Sequence, residues 1–253
     1  MIALAPLQAA TLKAWFLPER AGPLVGLHVL NTGNGVCWVD RWPAPRGALM
    51  MTADNYALAG DPSVFDATEL RTRIRGFVET AEGFLPLLKT AFPDCKRWER
   101  VIFEKRAAAK FHSPNVFEVR RLSAHDAHHL WGISPDNFWI SKTWGGPNGL
   151  AASGRGWGAF WDNHLASVAC TFYLGEKYED IGVVTEPQFR GGGLSTTCAA
   201  ALCEDILARG HQPSWTTSPD NLASIRVAEK LGFVLQRRNV LHVVGIPIPE
   251  PVH

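Results

Sequence analysis

Between Ile181 and Gly210 the chain reads IGVVTEPQFRGGGLSTTCAAALCEDILARG, a β-rich stretch that passes through Arg190, Gly191, Gly192 and Gly193 into a helical pattern. A strand that feeds a glycine turn at a helix N-terminus makes an anion site, because the first backbone N–H groups of the helix are unpaired and its dipole adds positive potential. A phosphate or pyrophosphate suits such a place. Without a Cβ the glycines let the backbone approach a ligand closely, Arg190 offers a fork of donors, and Ser195 and Thr196 add hydroxyls. Glycines also serve as plain connectors, so the loop alone does not decide the matter. No GK[ST] follows, and the spacing Gly191, Gly193, Thr196 lacks the third glycine of a dinucleotide fingerprint, which disfavours a P-loop or a Rossmann-type nucleotide binder.

Arg190-Gly191-Gly192-Gly193-Leu194-Ser195 resembles the R/Q-x-x-G-x-G/A acyl-CoA motif of the GNAT superfamily of N-acyltransferases, with Ser195 in place of the usual Gly or Ala. Further on, SPDNLASIRVAEKLGF (218–233) is similar to the superfamily's N-x-x-A/S…EKLGF helix. The resemblance implies that main-chain groups of Val183 and Val184, on a strand splayed from its neighbour, bond the pantetheine arm of acetyl-CoA. It implies that N–H groups from Gly191, Gly192, Gly193, Leu194 and Ser195 take the pyrophosphate, and that Asn221 and Ser224 lie near the pantetheine and thiol. On the residues alone Asn221 is equally an N-terminal cap, and the two roles are compatible. A looser likeness, through GVCWVDRWPAPRGALMMTADNYALAG near the N-terminus, is to the longer two-lobed bacterial GNAT acetyltransferases of the zwittermicin-resistance type.

Acylation of an amine needs a base, or an ordered water, for the amine proton and an acid for the leaving thiolate. Glu179 and Asp180 are the base candidates; being adjacent on a strand they face opposite ways, so at most one looks into a cleft. Exposed charges at a strand start are the plain alternative for both, and Glu186 is the weaker candidate. The superfamily's usual acid is a tyrosine at the position that here is Ala228, which leaves Tyr173, Tyr178 and Ser224 as donors, a thiolate that departs unassisted, as a thiol pKa of about 8.5 allows, or a binding protein that has lost its chemistry: a non-catalytic acyl-CoA sensor or assembly module.

These residues need elements to hold them. Apolar spacing predicts a helix over 4–17, short antiparallel strands in LVGLHVL, VCWVDRW and ALMMTAD, helices over 66–76 and 79–91, and strands at 100–105 and 115–120. A helix at 123–131 comes next, KTWGGPNGLAASGRGWG reads as a loop on the substrate side, and a β-meander covers 158–185. Helices at 194–209 and 221–231, closed by Gly210 and Gly232, alternate with a strand at 214–217 and strands up to Val244. The expected fold is α/β: a C-terminal GNAT domain (113–253) with a mixed central sheet flanked by helices, and an N-terminal α/β lobe (1–112), a degenerate relative of the same domain. Their boundary should fall near Ala107 to Pro114, and only the C-terminal lobe has a glycine loop, so one acetyl-CoA site is expected.

Twenty-five Lys and Arg against twenty-four Asp and Glu leave no field for nucleic acid. The five cysteines are scattered without metal spacing and read as reduced thiols. His125, His128 and His129 share helical spacing but lack a carboxylate partner pattern, so no metal is expected. With no membrane span or leader legible, the expectation is a cytoplasmic protein whose partner is a small-molecule or peptide amine. A homodimer is compatible with the sequence. Among the ten tryptophans, Trp131, Trp139, Trp144, Trp157 and Trp161 cluster upstream of the motif, as packing residues or as walls of an acceptor pocket.

Overall fold

The computed structural model describes residues 1–105 and 117–251. Its first half contains β1 (Ile2–Ala3), α1 (Pro6–Ala9), α2 (Val25–Thr32), β2 (Val36–Val39), β3 (Gly47–Thr52), β4 (Asn55–Gly60), α3 (Ala67–Arg73), β5 (Gly76–Thr80), α4 (Leu85–Ala91) and β6 (Lys96–Lys105). The second half contains β7 (Glu118–Arg121), α5 (Ala127–Trp131), α6 (Pro147–Ala152), β8 (Gly156–Trp161), β9 (His164–Leu174), β10 (Tyr178–Thr185), α7 (Leu194–Ala208), β11 (Gln212–Thr217), α8 (Leu222–Lys230) and β12 (Phe233–Val244).

The two halves repeat one plan. In each, an antiparallel meander ends in a strand that pairs in parallel with the next: β2-β3-β4 with β5, and β8-β9-β10 with β11. Their last strands are exchanged. β6, from the first half, pairs with β11, and β12, from the second, pairs with β5, while β6 and β12 run against each other from Phe233↔Lys105 to Val243↔Lys96. One twelve-stranded mixed sheet results, in the order β1-β2-β3-β4-β5-β12-β6-β11-β10-β9-β8-β7. The α/β architecture with a helix-flanked mixed sheet is therefore as expected. The boundary expected near Ala107 to Pro114 lies outside the described residues, as do Asn115 and Val116 of the strand expected at 115–120.

Five expected elements differ. LVGLHVL is not a strand but most of α2: Gly26 lets the Phe16 ring lie against the helix, where an added Cβ would come within 2.2 Å of it, and Gly33 closes the helix at φ 71°. A seven-residue apolar run suits a buried helix as well as a strand. The helix expected over 66–76 stops at Arg73, and the one expected over 79–91 begins only at Leu85, because residues 76–80 are taken up as β5. The helix expected over 4–17 is α1 continued by a 3-10 run from Ala10 to Phe16. KTWGGPNGLAASGRGWG is largely ordered secondary structure: the end of a 3-10 run over Pro135–Trp144, then α6, then the start of β8. Trp144 is buried there and donates to the Thr171 carbonyl at 2.6 Å.

Candidate active site

β10 and β11 pair only from Tyr178↔Gln212 to Ile181↔Trp215, although β10 continues to Thr185 and β11 to Thr217. Beyond Ile181 the two strands part. A bulge helps to turn β10: Asp180 pairs with Tyr173 and Ile181 with Thr171, which leaves Phe172 as the extra residue of β9. Bulges increase local twist and re-aim side chains, and here the consecutive Phe172 and Tyr173 both line the opening, which plain alternation would forbid. The cleft so formed has a volume of about 1450 Å³ and reaches from the glycine loop, past β10 and β11, to strands of the first half.

At one end stands the N-terminus of α7. Gly191 and Gly193 have φ of 80° and 79°, the left-handed region that glycine enters without strain. Among the described residues no side chain caps α7, so its first-turn N–H groups are available to a ligand. An added Cβ at Gly191 would meet nothing within 4 Å, which is the open cradle a pyrophosphate needs. Arg190, Gly191, Gly193, Leu194 and Ser195 line the cleft, as do Val183 and Val184, whose β11 side is free of strand pairing. Gly192 does not line it, and Thr196 is buried. The corresponding helix of the first half, α3, differs: its N-terminus is closed by the carboxylate of Asp66, which accepts from Glu69 N at 2.9 Å. An acidic cap occupies the donors that an anion would use. The residues around α7 thus fit the diphosphate and pantetheine parts of acyl-CoA.

Glu179 and Asp180 do face opposite ways. Asp180 lies on the cleft, where its Oδ1 accepts from Ser214 Oγ at 2.7 Å and Thr216 Oγ1 at 3.0 Å. Burial pushes its pKa up to about 6, against the pull of those hydroxyls and of Arg100 and Arg237. Glu179 is a base candidate that the geometry removes. It is 0% exposed, on the α7 side of the sheet, and it binds Arg155 Nη1 at 2.7 Å, Arg209 Nη2 at 2.9 Å and the Thr171 hydroxyl. Removing one member of such a buried network strands the others. Glu179→Gln is expected to lower unfolding free energy in urea by about 3–5 kcal/mol, with the acetyl-CoA affinity of the folded protein unchanged; equal stability would show the network to be dispensable.

Tyr173 is 5% exposed, and its hydroxyl, which makes no hydrogen bond among the described residues, belongs to the cleft wall. Burial, with Asp180 and Glu79 nearby, raises its pKa well above the ordinary tyrosine value, so it keeps its proton and has it to offer in a hydrogen bond. Ser224 also lines the cleft. Its Oγ accepts from Trp215 Nε1 at 2.9 Å, which leaves the hydroxyl hydrogen to be given elsewhere. Asn221 caps α8, accepting from Ser224 N at 3.1 Å, and it also lines the cleft, which is compatible with the ligand-side role. Ala228, one turn beyond Ser224, is 0% exposed and packs with Trp215 and Phe233 in the core.

Glu186 is not on the cleft; it accepts from Ser134 N, Ser134 Oγ and Asn137 Nδ2, at 2.7 Å for the last, and so ties the Pro135–Trp144 run to the end of β10. Tyr178 also lies off the cleft, donating to Glu104 Oε1 at 3.2 Å. Of the five tryptophans singled out by position, only Trp139 lines the cleft, joined by Trp98 and Trp215. His128 and His129 stack at 3.8 Å, and no group of three or more His, Cys, Asp or Glu among the described residues is arranged to hold a metal ion. Cys198 and Cys203 are buried packing residues of α7, their thiols pushed up to about 12. Among the described residues no helix is long and apolar enough to cross a membrane.

Sequence reasoning missed the first half's share of the site. Glu79 on β5 lines the cleft and accepts from Asn239 Nδ2 at 3.2 Å, with burial raising its pKa to about 7. Phe77, Trp98 and Arg100 complete that wall. Period-two alternation through Phe77, Glu79 and through Trp98, Arg100 is the signal for these positions; at Glu79 it competes with the helical spacing of 79–91, broken at Pro86.

Comparison with known proteins agrees with this geometry. The family model described as GNAT acetyltransferase matches residues 24–240. An uncharacterized N-acetyltransferase encoded in the mutA 5′ region of Streptomyces virginiae is 39% identical over 214 residues, 83% of this chain and 90% of that protein. The uncharacterized N-acetyltransferase YdfB of Bacillus subtilis is 30% identical over 247 residues, 88% and 91% of the two chains. In fold, a GCN5-related N-acetyltransferase-like protein of Streptococcus suis superposes with a TM-score of 0.69 at 19% identity, over 94% of this chain and 98% of that one. A tandem GNAT protein from the clavulanic acid biosynthesis pathway gives a TM-score of 0.59 at 14% identity, over 95% and 96%. With the motifs, the parted strands and the matched length in agreement, the chain belongs to the GNAT acetyltransferase family.

Proposed function

We propose that this protein transfers an acetyl group from acetyl-CoA to a primary amine by direct attack in a ternary complex. The observation that carries the reading is the parting of β10 from β11 beside an uncapped, glycine-led α7. Acetyl-CoA supplies the acetyl group as a thioester. The α7 N–H groups and Arg190 hold its pyrophosphate, and the free main-chain edge at Val183 and Val184 holds the pantetheine arm, which directs the thioester toward Asp180 and Tyr173. Asp180 Oδ accepts the proton that the amine loses as its nitrogen bonds to the acetyl carbon. The C–S bond breaks, the hydroxyl of Tyr173 or Ser224 donates a hydrogen bond to the departing sulfur, and the thiolate takes its proton from water. A thiol pKa of about 8.5 makes the help of that hydroxyl modest. Ala228 motivates a non-catalytic acyl-CoA sensor as the alternative, but Asp180, Tyr173 and Ser224 leave the cleft supplied with a base and two donors.

The test is thermal unfolding with acetyl-CoA, CoA, NAD and ATP, followed by thiol release from acetyl-CoA over a panel of amines. Acetyl-CoA at a hundredfold excess over its Kd should stabilise the protein by about 2.7 kcal/mol, and at least one amine should release thiol. Stabilisation without release would favour the sensor; stabilisation by NAD or ATP in place of acetyl-CoA would overturn the reading.

A further inference from the structure

The wall of the cleft built by the first half of the chain holds a cation that forms no ion pair with any described residue. Arg100, on β6, lines the cleft with its guanidinium stacked on Trp98, 4.0 Å from the ring centroid. Its one hydrogen bond among the described residues runs from Nη2 to the Thr216 carbonyl at 3.4 Å, a long contact, and its Nε is buried with no partner. No carboxylate of the described residues is within ion-pair distance. Asp180, Tyr173 and Asp220 are near enough to be felt, and burial brings the guanidinium down only to about 10, so it is charged at any working pH. A guanidinium has five donors, and leaving most of them unused in a recess is costly unless a ligand or water supplies acceptors.

Two simpler roles do not fit. Arg100 is not the contact counter-ion of Asp180: among the described residues its hydrogen bond goes to the Thr216 carbonyl and no ion pair joins it to that carboxylate, although its charge is felt there. A cofactor phosphate is served by Arg190, beyond the opposite end of β10. The flat fork of Arg100, fixed by stacking on an indole, is preorganised for a planar oxyanion bound through two oxygens. Across one intervening strand, β11, stands Asp180, with the unpartnered hydroxyl of Tyr173 beside it. An amine held at Asp180 would therefore have a cation close by.

We propose that the acceptor is an amino acid, an amine with a carboxylate close to it, and that Arg100 receives that carboxylate. This rests on the acyltransferase reading and names the substrate class for it. The first half of the chain then recognises the acceptor while the second half holds the acyl donor.

The experiment is calorimetric titration of the CoA-saturated protein with L-alanine, L-leucine, L-phenylalanine and L-lysine, and with the amide of each, which keeps the amine and removes the negative charge. At least one acid should bind roughly tenfold or more tightly than its amide. Arg100→Gln should abolish that preference, Arg100→Lys should retain part of it, and Arg75→Gln, which alters the other arginine on this side of the cleft, should leave it intact. If Arg100→Gln does not fold, the wild-type preference and the Arg100→Lys variant still decide. Equal binding of acids and amides, no binding of either, or loss of the preference in Arg75→Gln alone would overturn the proposal, and tighter binding of lysine amide than of the other amides would point to a diamine. Acetyl-CoA stabilisation measured on the same samples separates the failures: if it persists, only the acceptor class falls; if it is absent, the acyltransferase reading falls with it.

Discussion

Asp180→Asn is expected to lower kcat by about a hundred- to ten-thousand-fold, with little change in the acetyl-CoA affinity. The asparagine keeps the shape, and its oxygen can still accept from Ser214 and Thr216, but it cannot take a proton. The pH dependence gives the sharper test. The base must be ionised, so wild-type kcat should fall as the pH drops below about 6, the value to which burial pushes Asp180. That acidic limb should vanish from the residual activity of the variant. Glu79, Tyr173, Arg100 and Arg237 surround the group, and Glu79, poised near 7, adds a second titration that Glu79→Gln would expose. Stability runs the other way. Because the folded-state pKa of Asp180 is raised, its contribution is complete below pH 3.8 and is lost as pH rises through about 6. At pH 8 the variant should therefore be no less stable than the wild type. An unstable variant, or an unchanged acidic limb, would remove Asp180 from the role of base.

Gly193→Trp should abolish the thermal stabilisation by acetyl-CoA. The indole would fill the approach to the first turn of α7, and a side chain at φ 79° also strains the backbone by about 1–2 kcal/mol. Strain alone must be separated from blockade. Gly210 ends the same helix region at φ 80°, with nothing within 4 Å of an added Cβ, and lies away from the cleft. Gly210→Trp should therefore carry a similar strain yet keep the full acetyl-CoA response. Loss of the response in both variants would mean that distortion, not obstruction, is being read; its survival in Gly193→Trp would show that the glycine loop only connects β10 to α7.

The glycine-loop end of the cleft was legible because its signals are local. A strand, three glycines, a helix and the SPDNLASIRVAEKLGF segment lie in one stretch of chain, and β10, α7, β11 and α8 all fell where spacing put them. Alternation also implied that only one of Glu179 and Asp180 could face the cleft, although it could not say which; that depends on the Phe172 bulge and on which side α7 packs. The share of the first half in the cleft was much less legible. Glu79 and Arg100 reach the cleft through β5 and β6, and the neighbours of those strands, β12 and β11, are contributed by the other half of the chain. Long-range exchange of this kind leaves no mark in local periodicity. LVGLHVL failed for another reason, since its helical state is decided by Phe16 packing over Gly26.

The exchange of β6 and β12 makes the molecule an internal pseudo-dimer, a pair of like halves fused in one chain. Two identical subunits related by a twofold axis must keep two equal clefts, since each residue appears twice in equivalent places. A fused pair is released from that constraint. Here one helix N-terminus carries an acidic cap, Asp66, while its counterpart behind Gly193 has no side-chain cap among the described residues, and strands of the capped half line the cleft beside the open end. On the proposed reading, the broken symmetry makes possible a division of labour between donor and acceptor recognition.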